Sequence, residues 1–205
     1  MPRNVRSATG QPIRRFAALC DAAFCVPLAG HGFAPARATM ESSTYLASRL
    51  YRLNERYIKV SATTHWRDAP ACCEVHLGEG SETWPESDWN AIALWQLGCE
   101  STPPPRTDPF RLRDVADLPR VLRRVCAALL RDGKDFLAGD LRRFRKARAA
   151  SAARRQPYMI GEIGRDGRYV AHAEPESAAL RARFASESEL ASDSIPPPRK
   201  RRKGG

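Results

Sequence analysis

The sequence predicts an α+β fold: an N-terminal helix, a three-stranded antiparallel meander and a packed helix, followed by an α-helical basic extension with a short β-hairpin and a disordered tail. Three observations lead there. Apolar residues recur at helical steps from Ile13 to Phe24, three runs with strand character lie between Tyr45 and Leu77 with only short polar connections, and a helical apolar stripe resumes at Val115.

Met1–Gly10 carries no apolar period and is expected to be disordered. Ile13, Phe16, Ala17, Cys20, Ala23 and Phe24 share one face of a helix that should end between Pro27 and Gly32. Tyr45–Leu53, Tyr57–Trp66 and Ala71–Leu77 then read as strands, joined by Asn54-Glu55-Arg56 and by Arg67-Asp68-Ala69-Pro70, which implies a meander. Side chains alternate across a pleat, so the turns fix the faces. Leu46, Leu50, Ile58, Val60, Ala62, Trp66, Cys73, Val75 and Leu77 fall on an apolar face. Tyr45, Arg49, Tyr51, Tyr57, Lys59, Ser61, Thr63, His65, Cys72, Glu74 and His76 fall on a polar one.

Thr83-Trp84-Pro85-Glu86 reads as a capping box opening a helix whose Trp89, Ile92, Ala93, Leu94, Trp95 and Leu97 cover most of its circumference. That helix should bury against the apolar sheet face and complete a two-layer domain over residues 11–100. Residues 101–110, with prolines at 103, 104, 105 and 109, form a candidate linker. In residues 111–175 a helix carries Val115, Leu118, Leu122, Val125 and Leu129 and stops at Asp132-Gly133, a second presents Leu137, Leu141 and Phe144 on one side, and Gly164-Arg165-Asp166-Gly167 turns a hairpin. This part is expected to pack on the first unit. Residues 176–205 offer a weak helix and a basic tail.

The chain has 205 residues, 42% of them hydrophobic and 28% charged, which suits a globular domain with an appendage. Its net charge is +11, yet residues 1–98 are nearly neutral. The excess lies in Leu137–Pro157 and Pro196–Gly205, so Arg142, Arg143, Arg145, Arg148, Arg199, Lys200, Arg201, Arg202 and Lys203 are the candidate polyanion-binding residues. The tail resembles a nuclear localisation signal and equally suits a nonspecific polyanion-binding segment. Arginine outnumbers lysine 29 to 5, a ratio that with abundant alanine reflects a GC-rich codon preference more than selection for phosphate contacts.

Six cysteines show no paired zinc spacing and read as reduced, apolar core residues. Arg14 and Arg15 followed by an apolar run to Gly30 imitate an export signal over residues 1–36, but Asp21 and Pro27 interrupt it, which favours an amphipathic first helix and a cytoplasmic protein. No other stretch approaches the length of a membrane span.

The polar sheet face is the sharpest candidate site. Tyr45, Arg49, Tyr51, Tyr57, Lys59, His65, Glu74 and His76 could grip a partner protein or stack on bases, or could be covered by the C-terminal helices. Cys72, Glu74 and His76 alternate along one strand with His65 opposite, but such neighbours converge poorly on a tetrahedron, so no metal site is assigned. A nucleophile elbow, a phosphate-cradling glycine loop, a metalloprotease His-Glu pair and a dinucleotide fingerprint are all missing from the sequence. No catalytic residue and no cofactor are assigned.

His31-Gly32-Phe33 after the first helix, the segment from Tyr51-Arg52-Leu53 to Tyr57-Ile58-Lys59-Val60, and Trp84-Pro85-Glu86-Ser87-Asp88-Trp89 make a pattern similar to small α+β proteins of bacterial genomes. Some of that broad group resemble immunity proteins of toxin systems. The likeness spans about residues 13–98 and carries no functional residue across. The expected role is a non-enzymatic protein-interaction module, with nucleic-acid association through the two basic segments as the alternative.

Overall fold

The computed structural model describes residues 8–36, 45–65, 67, 71–97 and 110–193, with side chains to residue 186. The fold is α+β. Helix α1 (Phe16–Ala29) leads into a five-stranded antiparallel sheet of β1 (Ala34–Pro35), β2 (Leu46–Leu53), β3 (Arg56–Thr63), β4 (Cys72–Glu79) and β5 (Ala91–Ala93), ordered as in the sequence. Helix α2 (Ser87–Asn90) precedes β5, and a 3-10 turn (Leu94–Leu97) follows it. Helices α3 (Leu118–Asp132), α4 (Lys134–Ala138) and α5 (Arg142–Arg154) come next, then a separate two-stranded hairpin of β6 (Met159–Ile163) and β7 (Tyr169–Ala173), and helix α6 (Pro175–Asp193).

One face of the sheet is covered by α1, which packs on β2, and by α3, which packs on β4. Phe16, Cys20, Phe24 and Leu28 recur every four residues along α1 and are buried. Leu118, Leu122, Val125 and Leu129 of α3 join them, and both stripes close over Ile58, Val60, Ala62, Cys73, Val75 and Leu77. The stripe expected for α3 therefore lies in the same core as the sheet. Burying one such side chain stabilises by about 1.5–3 kcal/mol, so α3 is integral to the first unit.

The faces of β3 and β4 follow the sequence expectation, with Ile58 opposite Leu77, Val60 opposite Val75 and Ala62 opposite Cys73, but the pairing lies two residues from the expected one, so Thr63 rather than His65 stands opposite Cys72. Those of β2 do not. Leu53 pairs with Arg56, so the turn is the two residues Asn54-Glu55 rather than three, and Asn54 takes the left-handed conformation (φ 52°) that asparagine tolerates there. A shift of one residue exchanges the faces of the whole strand. Ala47, Arg49 and Tyr51 point at α1, while Leu46, 45% exposed, and Leu50 share the opposite face with Tyr57 and Lys59.

The helix expected after Thr83 is also corrected. It stops at Asn90, Ala91 is extended (φ −119°, ψ 155°), and Ala91–Ala93 pair with Gly78–His76 along the open edge of β4. Asn90 holds this break: its Oδ1 accepts from the Tyr57 hydroxyl at 2.6 Å and its Nδ2 donates to Ser81 O at 2.6 Å. A segment apolar all round fits a buried strand as well as a buried helix, and the free edge of β4 decides between them.

The second basic helix is likewise two, broken at Gly139, whose φ of 93° suits glycine. Residues 101–109 of the candidate linker and the end of the tail lie outside the described residues, while Phe110 accepts from the Cys73 amide at 3.1 Å. No helix among the described residues is long and apolar enough to cross a membrane.

Candidate functional site

The polar face proposed from the sequence divides into three groups in the structure. Arg49 and Tyr51 are turned inward by the β2 register. Arg49 grips Asp21 of α1 with two hydrogen bonds of 2.9 Å and donates to Ala36 O, and the Tyr51 hydroxyl donates to the same carboxylate at 3.0 Å. Phe24 stacks on the Tyr51 ring at 5.9 Å. Burial, together with the nearby Cys20 thiol and Asp21 carboxylate, pushes the Tyr51 phenol well above its ordinary value. This network ties α1 to β2. It turns both side chains into the fold rather than toward a partner.

Tyr57 stays on the predicted face yet is buried beneath α2, its ring lying over Gly78 and its hydroxyl bound to Asn90. Desolvation raises its phenol as well. His76 stands opposite Lys59 on one side and Ala93 on the other. Burial is the main cause of its depressed pKa of about 4, with the Lys59 and Arg155 charges pushing the same way against Asp88. The neutral imidazole is thus favoured.

What remains exposed of the proposed face is small. Tyr45, 36% exposed, sets its ring edge-on to His65 at 6.3 Å, and the His65 Nδ1 accepts from the Arg67 amide at 3.2 Å. Glu74 is exposed opposite Ser61, and Lys59 is half-buried. Cys72 pairs with Thr63, not His65, so the four metal-capable side chains are not brought together. Among the described residues no group of three His, Cys, Asp or Glu side chains gathers.

The arginines of α5 are consumed by the fold to a degree the sequence does not reveal. Arg148, proposed as a polyanion contact, is only 3% exposed: it pairs with Glu79 of β4 at 3.1 Å and lies between the rings of Phe144 and Phe184, 5.2 and 4.8 Å away. Arg145 binds the same carboxylate at 2.5 and 3.1 Å. Burial pushes the Glu79 carboxyl up, but its bonds to Arg145 and Arg148 outweigh this and hold it below the usual glutamate value. Arg143 donates to Leu97 O, and the exposed Arg142 folds back on Asp140. A helix rich in arginine at period three looks like a phosphate ladder until its neighbours are known. Arg199, Lys200, Arg201, Arg202 and Lys203 lie outside the described residues.

The feature the sequence left unweighed is the β6–β7 hairpin. It pairs Met159 with Ala173 through to Ile163 with Tyr169, and every one of its ten residues is exposed. One face holds Met159, Ile163, Tyr169, Ala171 and Ala173 with no charge among them; Tyr169 lies across Gly161, where a β-carbon would overlap its ring. Met159 is 61%, Tyr169 71% and Ile163 78% exposed. The other face carries Ile160, Glu162, Val170 and His172.

Among the described residues, the contacts that fix the hairpin are at its root. The Tyr158 hydroxyl donates to Asp88, its ring packs near Trp84 and Trp89, its amide donates to Ser177 Oγ at 3.0 Å, and the Glu174 amide donates to its carbonyl. Sequence alternation locates these strands but cannot say that nothing covers them.

No known family, no curated protein and no solved structure matches this chain.

Proposed function

We propose that this chain is a non-enzymatic protein-interaction module that engages a partner protein through the β6–β7 hairpin. The observation that carries this reading is the uncovered ribbon: Met159, Ile163 and Tyr169 stand on one face in water, on a hairpin held at its root. A two-stranded ribbon is at best marginally stable alone, and a contiguous exposed apolar face marks an interaction site more often than it is tolerated without one. Both outer edges also offer backbone groups for an added strand, a recognised mode of peptide capture.

The absence of any catalytic motif in the sequence supports a binding role over an enzymatic one. So does the chemistry of the buried groups, because desolvation raises the Cys20 thiol and Tyr51 phenol and makes both less reactive. Phe16, Cys20, Phe24 and Leu28 are core residues, which supports reading α1 as part of the fold of a cytoplasmic protein rather than as an export signal. Within the immunity-like reading the partner is a toxin, and a toxin gene beside this one names the first partner to try. Nucleic-acid binding through α5 has less support, since Arg143, Arg145 and Arg148 have partners inside the fold.

The test is photocrosslinking from position 163 in the native host, with the exposed position 55 in the β2–β3 turn as control, followed by titration of the purified partner. Crosslinking at 163 alone, and a loss of affinity of at least tenfold for Met159→Ser/Ile163→Ser/Tyr169→Ser, are the expected results. Equal crosslinking at both positions, or unchanged affinity of the triple variant, removes the reading.

A further inference from the structure

The charge map read along the chain and the charge map of the folded protein differ, and the difference locates a second surface. Gly10 donates to Thr64 O, the Val115 amide donates to the Gln11 side chain at 3.4 Å, and Leu112 donates to Ala71 O at 2.8 Å. These bonds gather the start of α1, the end of β3, the start of β4 and the start of α3 at one end of the molecule. Arg14, Arg15, Arg111, Arg113, Arg120 and Arg123, from three stretches that are each unremarkable in sequence, are all exposed there. Asp114 and Asp117 lie in the same region; Asp114 caps the turn before α3 and Asp117 pairs with Arg120 at 2.9 Å. Arg14, Arg15, Arg111, Arg113 and Arg123 have no carboxylate partner among the described residues, in contrast to Arg145 and Arg148 of α5.

We infer that this arginine end binds the phosphate backbone of nucleic acid. Guanidinium groups without a carboxylate partner among the described residues, spread over several stretches of chain, suit a ligand that repeats its negative charge, and each presents a fork that fits phosphate oxygens. A membrane fits less well. Among the described residues, Tyr45 and Leu46, 36% and 45% exposed beside the end of β3, are the large apolar side chains this end offers, while Val26, Trp84 and Met159 lie elsewhere; two such residues among six arginines make neither the apolar wedge of a lipid-inserting surface nor the broad apolar centre of a protein–protein interface. The contacts would be to phosphate, hence largely sequence-blind. The inference is independent of the hairpin, and either surface can fail without the other.

The experiment is fluorescence anisotropy of the full chain with a 20-nucleotide single strand and a 20-base-pair duplex, as DNA and as RNA, between 50 and 200 mM salt. Arg14→Gln/Arg111→Gln/Arg113→Gln/Arg123→Gln is compared with Arg142→Gln/Arg154→Gln/Arg165→Gln/Arg168→Gln, which removes equal charge elsewhere, and with a tail variant neutralised at Arg199–Lys203. Binding that weakens with salt, and a slope of log affinity against log salt reduced by about 3.6 for the four arginines of the first variant on the duplex and by less than one for the second, are expected, at roughly 0.9 per phosphate contact. Melting by circular dichroism confirms that the variants fold. No binding at 50 mM salt, equal slopes for wild type and the first variant, loss of binding confined to the tail variant, or binding to vesicles with 30% phosphatidylserine but not to nucleic acid each overturns the inference.

Discussion

Two hairpins in this chain lay a tyrosine over a glycine. In β3–β4, Tyr57 covers its direct partner Gly78; in β6–β7, Tyr169 reaches diagonally to Gly161. At both positions a β-carbon would run into the ring, so glycine serves by leaving room for the aromatic group. The surroundings then part. Tyr57 is sealed by α2 and its hydroxyl is bound by Asn90, whereas Tyr169 is left 71% exposed. The same local device builds core in one place and an open face in the other, and only the element that follows decides which. After β4 the chain returns as α2 and β5, and after β7 it leaves along α5 as helix α6.

The widest gap should come from removing the rings. Tyr57→Ala is expected to cost about 3–5 kcal/mol in urea unfolding, as for other large buried side chains, and Tyr169→Ala less than about 0.5 kcal/mol. A large loss at Tyr169 would mean that the second hairpin stabilises the fold and is not a free surface. Filling the glycines separates the two less widely. Gly78→Ala must displace a ring that cannot move and should cost about 1–3 kcal/mol, while at Gly161→Ala the exposed ring can swing away at little cost. Equal losses would show that Tyr169 is held more firmly than its exposure implies.

Burial in the first hairpin can also be read through pH at His76. The folded state depresses His76 to about 4 from an ordinary 6.5, so the unfolded chain binds the extra proton between those values. Stability should accordingly be full above about pH 6.5 and fall as pH is lowered toward 4, by up to about 1.4 kcal/mol per unit. His76→Gln should flatten that part of the curve in denaturant melts. The smallest effect is expected of Tyr57→Phe, which removes the bond to Asn90 and should cost about 1 kcal/mol, against nothing measurable for Tyr169→Phe.

Legibility in the sequence followed the range of the interactions. The α1 and α3 stripes, the β3–β4 faces and the β6–β7 turn rest on local period and were all readable. The face of β2 was not, because it hangs on whether Asn54 can enter the left-handed region and shorten a turn by one residue. Residues 87–97 were misread because the free edge of β4, a distant feature, claimed Ala91–Ala93. Site residues were less legible still. Arg148 and Tyr57 are of types usually found at surfaces, and their burial depends on Glu79, Phe184 and Asn90, far away in the chain. The arginine end went unseen for the converse reason, since its members are scattered in sequence and meet only after folding.

Glu79 has a practical consequence for dissecting the molecule. One carboxylate at the end of β4 receives both Arg145 and Arg148, and Phe184 of α6 closes over the second guanidinium. A fragment ending before residue 175 would retain that buried cation while losing its aromatic lid and admitting water to the clasp. The shortest autonomously folding piece should therefore extend through Phe184, so fragments for crystallisation or isotope labelling are best trimmed beyond that point and not at the hairpin.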